Sequence, residues 1–205
     1  MTRLCNGVNM DSLKNKSNSI HLAIAITGAS GSIYGKRLVS VCREAGIHVH
    51  LIISEAGRKV YRLELGEEPE DLVSSTVQLY DYKDYGARIA SGSFPLKGLV
   101  IIPCSMGTLG AIAHGISGNL IHRCADVCLK EGRRIILVPR ETPLNRIHLN
   151  NMLHLAEAGA TILPAMPGFY HNPKSIGDLV DFIVARVLSQ LGIKQDLHEP
   201  WDGLI

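Results

Sequence analysis

The chain has 205 residues, 46% of them hydrophobic and 20% charged, with a formal net charge of +2. That length buries one sizeable core, and the small charge, with no Lys/Arg run, excludes a nucleic-acid footprint. Apolar runs stop at five or six residues, too short to span a membrane.

The five cysteines, Cys5, Cys42, Cys104, Cys124 and Cys128, are odd in number and contain no Cys-x-x-Cys. Reduced thiols in a cytoplasmic protein fit that pattern. Cys124 and Cys128 stand one helical turn apart and read as packing residues rather than ligands. The nine histidines form no ligand cluster, and His48/His50 and His148/His154 lack metal spacing.

Residues 1–19 are rich in Asn, Ser and Lys and read as a disordered N-terminal arm without a signal-peptide core. Residues 22–27 (LAIAIT) are long enough for a buried strand, and Gly28-Ala29-Ser30-Gly31-Ser32 follows. Residues 34–45 then show helical spacing at Leu38, Val41 and Cys42. Strand, Gly-rich turn and helix open a nucleotide-binding βαβ unit, in which small residues let the backbone approach a phosphate. A plain tight turn is the other reading. Gly28, Gly31 and Gly35 do not match Gly-x-Gly-x-x-Gly, and the next strand, 49–53, ends at Ser54 with Glu55 one place late. Without an acidic residue at that strand end, FMN is favoured over NAD.

Residues 55–65 predict a helix ending at Gly66, with Glu64 as a surface glutamate between Leu63 and Leu65. Residues 67–71 (EEPED) read as a solvated acidic loop and 71–80 as an amphipathic helix. Residues 81–90 have no assignment, and Ser91-Gly92-Ser93 is a small-residue turn.

The central stretch is 98–141. A strand over 99–103 ends in small polar residues at Ser105, Gly107 and Thr108. Gly115 and Gly118 break the helix that follows. Its second piece, 119–130, puts Arg123 and Lys130 seven apart on one face. Asp126 between them allows an exposed salt-bridge row instead. A strand over 135–139 stops at Arg140-Glu141. Ligands of open parallel sheets sit outside the carboxyl ends of the strands, so these ends predict a phosphate-bearing ligand.

A helix over 148–158 closed by Gly159, a strand over 160–163 and a helix over 174–191 carrying Arg186 complete the chain. Strands alternating with helices predict an α/β fold, a Rossmann-like three-layer sandwich with a mainly parallel sheet. One flavin-binding domain would cover 20–193, followed by a C-terminal tail over 194–205.

From Ile24 to Trp201 the chain resembles the UbiX/Pad family of flavin prenyltransferases. The matching motifs are Thr27-Gly28-Ala29-Ser30-Gly31, Ser91-Gly92-Ser93, Pro103-Cys104-Ser105-Met106-Gly107-Thr108-Leu109 and Arg123-x-Ala125-Asp126-Val127-x-Leu129-Lys130. Pro139-Arg140-Glu141, His148-Leu149-x-Asn151-Met152 and Pro167-Gly168-Phe169-Tyr170-His171 complete the series in order.

The resemblance implies transfer of the dimethylallyl group of dimethylallyl phosphate to N5 and C6 of reduced FMN. The prenylated FMN would serve a UbiD-type decarboxylase. A cytoplasmic homo-dodecamer, with pockets completed by neighbouring subunits, is implied as well. Carried over, Gly28, Ala29, Ser30, Ser54, Ser105, Met106, Gly107, Thr108 and Arg140 would contact FMN. Arg123, Lys130, Arg140, Glu141, Tyr170, Arg186 and Trp201 would form the prenyl phosphate site. Glu64, Glu141, Ser30 and Lys130 would take catalytic roles.

No Asp-Asp-x-x-Asp platform for a metal is present. Arg123, Lys130, Arg140 and Arg186 would neutralise a monophosphate directly, in charge-assisted hydrogen bonds of about 1.5–3 kcal/mol each. Ring closure releases a proton from flavin C6, to Glu141, Glu64 or the departing phosphate. Two rivals share the fold. One is a flavin-dependent cysteine decarboxylase, which would carry Pro-Ala-Ser-Ala-Asn-Thr in place of Pro103-Cys104-Ser105-Met106-Gly107-Thr108. The other is a non-catalytic FMN-binding partner of a decarboxylase.

Overall fold

The computed structural model describes residues 19–198 and Gly203. The expected arm over 1–19 and the role given to Trp201 lie almost wholly outside those residues. In chain order the elements are β1 (His21–Ile26), α1 (Ser32–Glu44), β2 (His48–Ile53), α2 (Glu55–Leu65), β3 (Val77–Tyr80) and β4 (Gly98–Cys104). There follow α3 (Met106–Ala113), α4 (Leu120–Lys130), β5 (Arg134–Pro139), α5 (Arg146–Glu157), β6 (Thr161–Ile162) and α6 (Ile176–Leu191). The six strands form one sheet in the order β3-β2-β1-β4-β5-β6, every pair parallel.

The alternation of side chains along each strand divides the core into two layers. Leu22, Ile24 and Ile26 of β1 and Val100 and Ile102 of β4 face α1, α2 and α6. Ala23, Ala25, Leu99 and Ile101 face α3, α4 and α5. Helix α1 lies close on the sheet because Gly35 has no side chain: a Cβ there would come 2.5 Å from the Ile102 carbonyl oxygen.

The amphipathic helix expected over 71–80 is not formed. A short 3-10 turn at Pro69–Leu72 is followed by strand β3. Ser74 accepts from the Thr76 N–H at 3.3 Å, a local bond that competes with helix formation. Val77 and Leu79 then pair with Val49 and Leu51, which buries Val77 and Tyr80. The acidic loop is paired rather than simply solvated. Glu67 meets Lys36 at 2.6 Å, Glu68 meets Arg62 at 2.7 Å and Glu70 meets Arg58 at 2.5 Å.

Helix ends follow their caps. Ser54, Ser105, Asn119, Asn145 and Ser175 each accept a backbone N–H of the first turn. Gly66 and Gly192 close α2 and α6 in the left-handed region.

Candidate active site

In this strand order the chain leaves β1 toward one edge and returns through β4 toward the other. The crevice at that reversal, outside the carboxyl ends of β1 and β4, is where such sheets bind ligands. Thr27 holds it together. Its hydroxyl donates to the Pro103 carbonyl at 2.9 Å and accepts from the Ser105 N–H at 2.7 Å. Thr27 is not among the expected site residues; a hydroxyl closing an apolar strand run was the available signal. Ser54 donates its N–H to the Ile26 carbonyl at 3.0 Å, which brings the end of β2 to the same place.

The small residues have distinct jobs. Gly28 is required by packing, since a Cβ would lie 2.6 Å from the Ala56 Cβ. Ser105 caps α3: its hydroxyl accepts from the Thr108 N–H at 3.3 Å and donates to the Thr108 hydroxyl at 3.1 Å. At Gly107 a Cβ would meet nothing within 4 Å. The first turn of α3 is therefore open, with N–H groups at Met106 and Gly107 that have no partner among the described residues. Small, polar and open loops of this kind suit a flavin mononucleotide lying across the ends of β1, β2 and β4.

The N-terminus of α1 already holds an anion. Glu64 accepts from the Gly31 N–H at 3.0 and 3.1 Å and from the Ser32 N–H at 2.8 Å. Burial pushes its carboxyl up, but hydrogen bonds from the Ser30 hydroxyl and the Ser32 and Gly31 backbone outweigh that and hold it below its ordinary value. Glu64 is thus an ionised cap, which corrects its reading as a plain surface glutamate. A phosphate expected against the Gly31 and Ser32 N–H groups meets this carboxylate instead.

Arg140 completes the crevice. Its Nε donates to the Ser30 carbonyl at 3.2 Å and its own N–H to the Cys104 carbonyl at 3.4 Å. Ser30 is thereby held from two sides, by Arg140 and by Glu64. Glu141 accepts from the Thr142 N–H at 3.1 Å and is exposed. Beside it lies a pocket of about 120 Å³ between the ends of β5 and β6 and helix α5.

The other predicted residues are elsewhere in the chain. Lys130 ends α4, four residues before β5 begins, whereas Arg140 follows the last residue of β5. A six-residue strand separates these positions by about 20 Å. Arg123 pairs with Asp126 at 2.7 Å and donates to the Ala90 carbonyl at 3.3 Å, as the salt-bridge reading anticipated. Lys130 lies 3.6 Å from Glu131. Tyr170 sits among Phe182, His171 and His198 on the α6 side. Arg186 is exposed one turn beyond Phe182. One chain therefore unites Ser30, Ser54, Glu64, Ser105, Thr108, Arg140 and Glu141, but not Arg123 and Lys130. Among the described residues, no three His, Cys, Asp or Glu side chains converge as metal ligands would. No helix among them is long and apolar enough to cross a membrane.

The family model "Flavoprotein" matches residues 10–188. The flavin prenyltransferase UbiX of Halalkalibacterium halodurans is 53% identical over 188 residues, which are 87% of this chain and 91% of that protein. This chain belongs to the UbiX flavin prenyltransferases of the Flavoprotein family. A UbiX protein, AnUbiX (PadA1), crystallised with FMN and dimethylallyl pyrophosphate, has a TM-score of 0.88 at 38% identity, covering 92% of this chain and all of that one. A dodecameric FMN-dependent UbiX-like decarboxylase from Escherichia coli O157:H7 has a TM-score of 0.86 at 40% identity, covering 90% of this chain and all of that one. The UbiX fold and family thus agree with the sequence expectation.

Proposed function

We propose that this chain joins the dimethylallyl group of dimethylallyl phosphate to reduced FMN. The observation that carries the reading is the cluster at the switch point, where Arg140 and Glu64 fix Ser30 between them beside the open first turn of α3. Gly28, Ala29, Ser30, Ser54, Ser105, Met106, Gly107, Thr108 and Arg140 hold the flavin, which supplies N5 and C6 as nucleophilic positions. The C1–O bond of the substrate breaks and its electron pair leaves with the phosphate. Arg140 faces that developing charge with two guanidinium nitrogens that have no partner among the described residues. A charge-assisted bond that strengthens as the anion forms lowers the barrier by about 1.5–3 kcal/mol.

Two carboxylates stand ready for the C6 proton. Glu64 is tied to two backbone N–H groups and a hydroxyl, all of which weaken it as a base. Glu141 accepts one N–H, from Thr142, and stands beside Arg140 at the end of β5, the second position from which the proton can be taken.

The remaining cations come from neighbouring copies. Arg123 and Lys130 of another subunit complete the phosphate site, with Tyr170 and Arg186 as its further wall. Ile147, Leu149 and Leu153 of α5 and Ile116 are each more than half exposed, an apolar surface that a homo-dodecamer would cover. Cys42, Cys104, Cys124 and Cys128 are free and buried, in keeping with a reducing cytoplasm. The product would pass to a UbiD-type decarboxylase. The test is anaerobic incubation with reduced FMN and dimethylallyl phosphate, followed by the mass of the flavin. A gain of one C5 unit supports transfer, and unmodified flavin with both ligands bound overturns it.

A further inference from the structure

Tyr170 stands on the loop between β6 and α6, with 51% of its surface exposed. Its ring is one wall of an aromatic box. His171 lies flat on Phe182 of α6, with centroids 5.4 Å apart and planes 8° from parallel. Tyr170 meets both at steep angles, His171 at 5.7 Å and Phe182 at 5.9 Å. Gly168 makes room for this arrangement, since a Cβ there would come 2.9 Å from Tyr170 Cε1 and 3.2 Å from Phe182 Cζ. The fourth ring comes from beyond α6. His198 stands nearly perpendicular to Phe182 at 5.0 Å, to His171 at 4.7 Å and to Tyr170 at 6.0 Å. Ring pairs in this geometry attract and are directional, so each ring restricts the others.

One side chain delivers His198 to the box. After Gly192 closes α6, Ile193 and Leu197 pack on the core. Gln195 Oε1 accepts from the Leu197 N–H at 2.8 Å and from the His198 N–H at 3.2 Å, and its Nε2 donates to the His198 carbonyl at 3.2 Å. A single amide thus folds residues 195–198 into a closed turn, where a chain end without such ties would fray. The box uses its imidazoles as surfaces. Both nitrogens of His171 and Nε2 of His198 are shut off from water and meet no hydrogen-bond partner among the described residues. Arg186 follows Phe182 by one helical turn, so the box borders both residues of the expected phosphate wall.

We infer that the turn Gln195–His198 is a latch that holds Tyr170 in place for the substrate phosphate, with Gln195 and His198 as positioning residues. This rests on the prenyl-transfer reading, in which Tyr170 walls the phosphate site, and deepens it. The latch acts through ring packing, so a phenyl ring can stand in for His198.

The test reads prenyl transfer by flavin mass, with reduced FMN and a range of dimethylallyl phosphate concentrations. His198→Ala and Gln195→Ala are expected to raise KM for dimethylallyl phosphate by about 2- to 10-fold, the equivalent of one aromatic contact. FMN affinity, read by fluorescence titration, stays at the wild-type value in both. His198→Phe restores the wild-type KM. In a Tyr170→Phe background, which raises KM by itself, His198→Ala adds nothing further, because its effect passes through the Tyr170 hydroxyl. Gln195 is not one of the stacked rings, so its variant tests the turn even if His198→Ala disturbs packing.

A wild-type KM in both alanine variants overturns the inference and leaves prenyl transfer standing. So does a loss in His198→Ala that adds in full to that of Tyr170→Phe, a His198→Phe as impaired as His198→Ala, or a wild-type KM in Tyr170→Phe. A wild-type protein that binds both ligands and transfers nothing removes the prenyl-transfer reading and this inference together.

Discussion

The Glu64 carboxylate accepts the Ser32 N–H at 2.8 Å, so a side chain from α2 caps α1, the helix that follows the turn after β1. The charge and the cap act together, since a helix N-terminus stabilises an anion. Glu64→Gln keeps an acceptor but loses the charge, and it is expected to lower stability by about 1 kcal/mol. The pH dependence has a definite sign. Folding lowers the pKa of Glu64, so its contribution is complete above the unfolded value and is lost as pH falls through the folded one. Denaturant titrations of wild type and Glu64→Gln should converge in acid. A constant difference between them at every pH removes the charged-cap account. Turnover should fall while FMN stays bound, and wild-type turnover would take Glu64 out of the reaction.

Arg140 bridges β5 to the turn after β1, so its loss is felt twice. Arg140→Ala releases Ser30 and removes the cation proposed to face the leaving phosphate. FMN affinity and turnover should each drop by about 10- to 100-fold, one charge-assisted hydrogen bond's worth. Arg140→Lys retains the charge but not the planar fork and should recover only part of that. Fluorescence titration with FMN reads the first effect, and an unchanged dissociation constant rejects the assigned role.

The parallel sheet and most helix limits were legible because apolar runs, Gly66, Gly115, Gly159 and Gly192 mark them. Helix α2 was anticipated at its observed bounds, 55–65. Strand β3 was not, because Val77-Gln78-Leu79-Tyr80 is too short for a periodicity of its own and is defined by pairing with β2. The same limit applies to the site. Arg140 and Ser105 announce themselves by standing at strand ends. The part played by Glu64 depends on α2 lying beside α1, a tertiary fact. The seven-residue spacing of Arg123 and Lys130 is real, yet it says nothing of their distance from Arg140, which the height of β5 decides.

A second titrating cluster lies at the other end of the sheet. His21 and His50 share a 3.0 Å hydrogen bond, His50 and the Tyr80 hydroxyl share one of 2.9 Å, and His21 stacks on His48 at 4.9 Å. Burial, then the charges of His21, Arg88 and His48, push His50 down to about 4. The neutral form is the folded form, so stability is intact above pH 6.5 and declines as pH falls toward 4. At most about 3 kcal/mol is at stake. His50→Gln should flatten the fall in melting temperature across that window. An unaltered profile would assign the acid sensitivity to other groups.

The sharpest consequence of the separation between Lys130 and Arg140 concerns mixtures. If each phosphate site takes Arg140 from one copy and Lys130 from another, Arg140→Ala and Lys130→Ala are each strongly impaired alone but repair each other. A mixed oligomer pairs an intact Arg140 with an intact Lys130 at about a quarter of its sites when subunits combine at random in equal amounts. Co-refolding or co-expression should therefore recover about that fraction of prenyl transfer, and the recovered activity should vanish when the two are mixed without subunit exchange. The Arg140→Ala, Lys130→Ala double variant supplies the control, since its subunits carry no intact half to lend. Activity that stays at the level of the single variants in a verified mixed oligomer would mean that both residues serve the same chain. That outcome would require α4 to approach the end of β5 in a different arrangement from the one in which Lys130 lies beside Glu131.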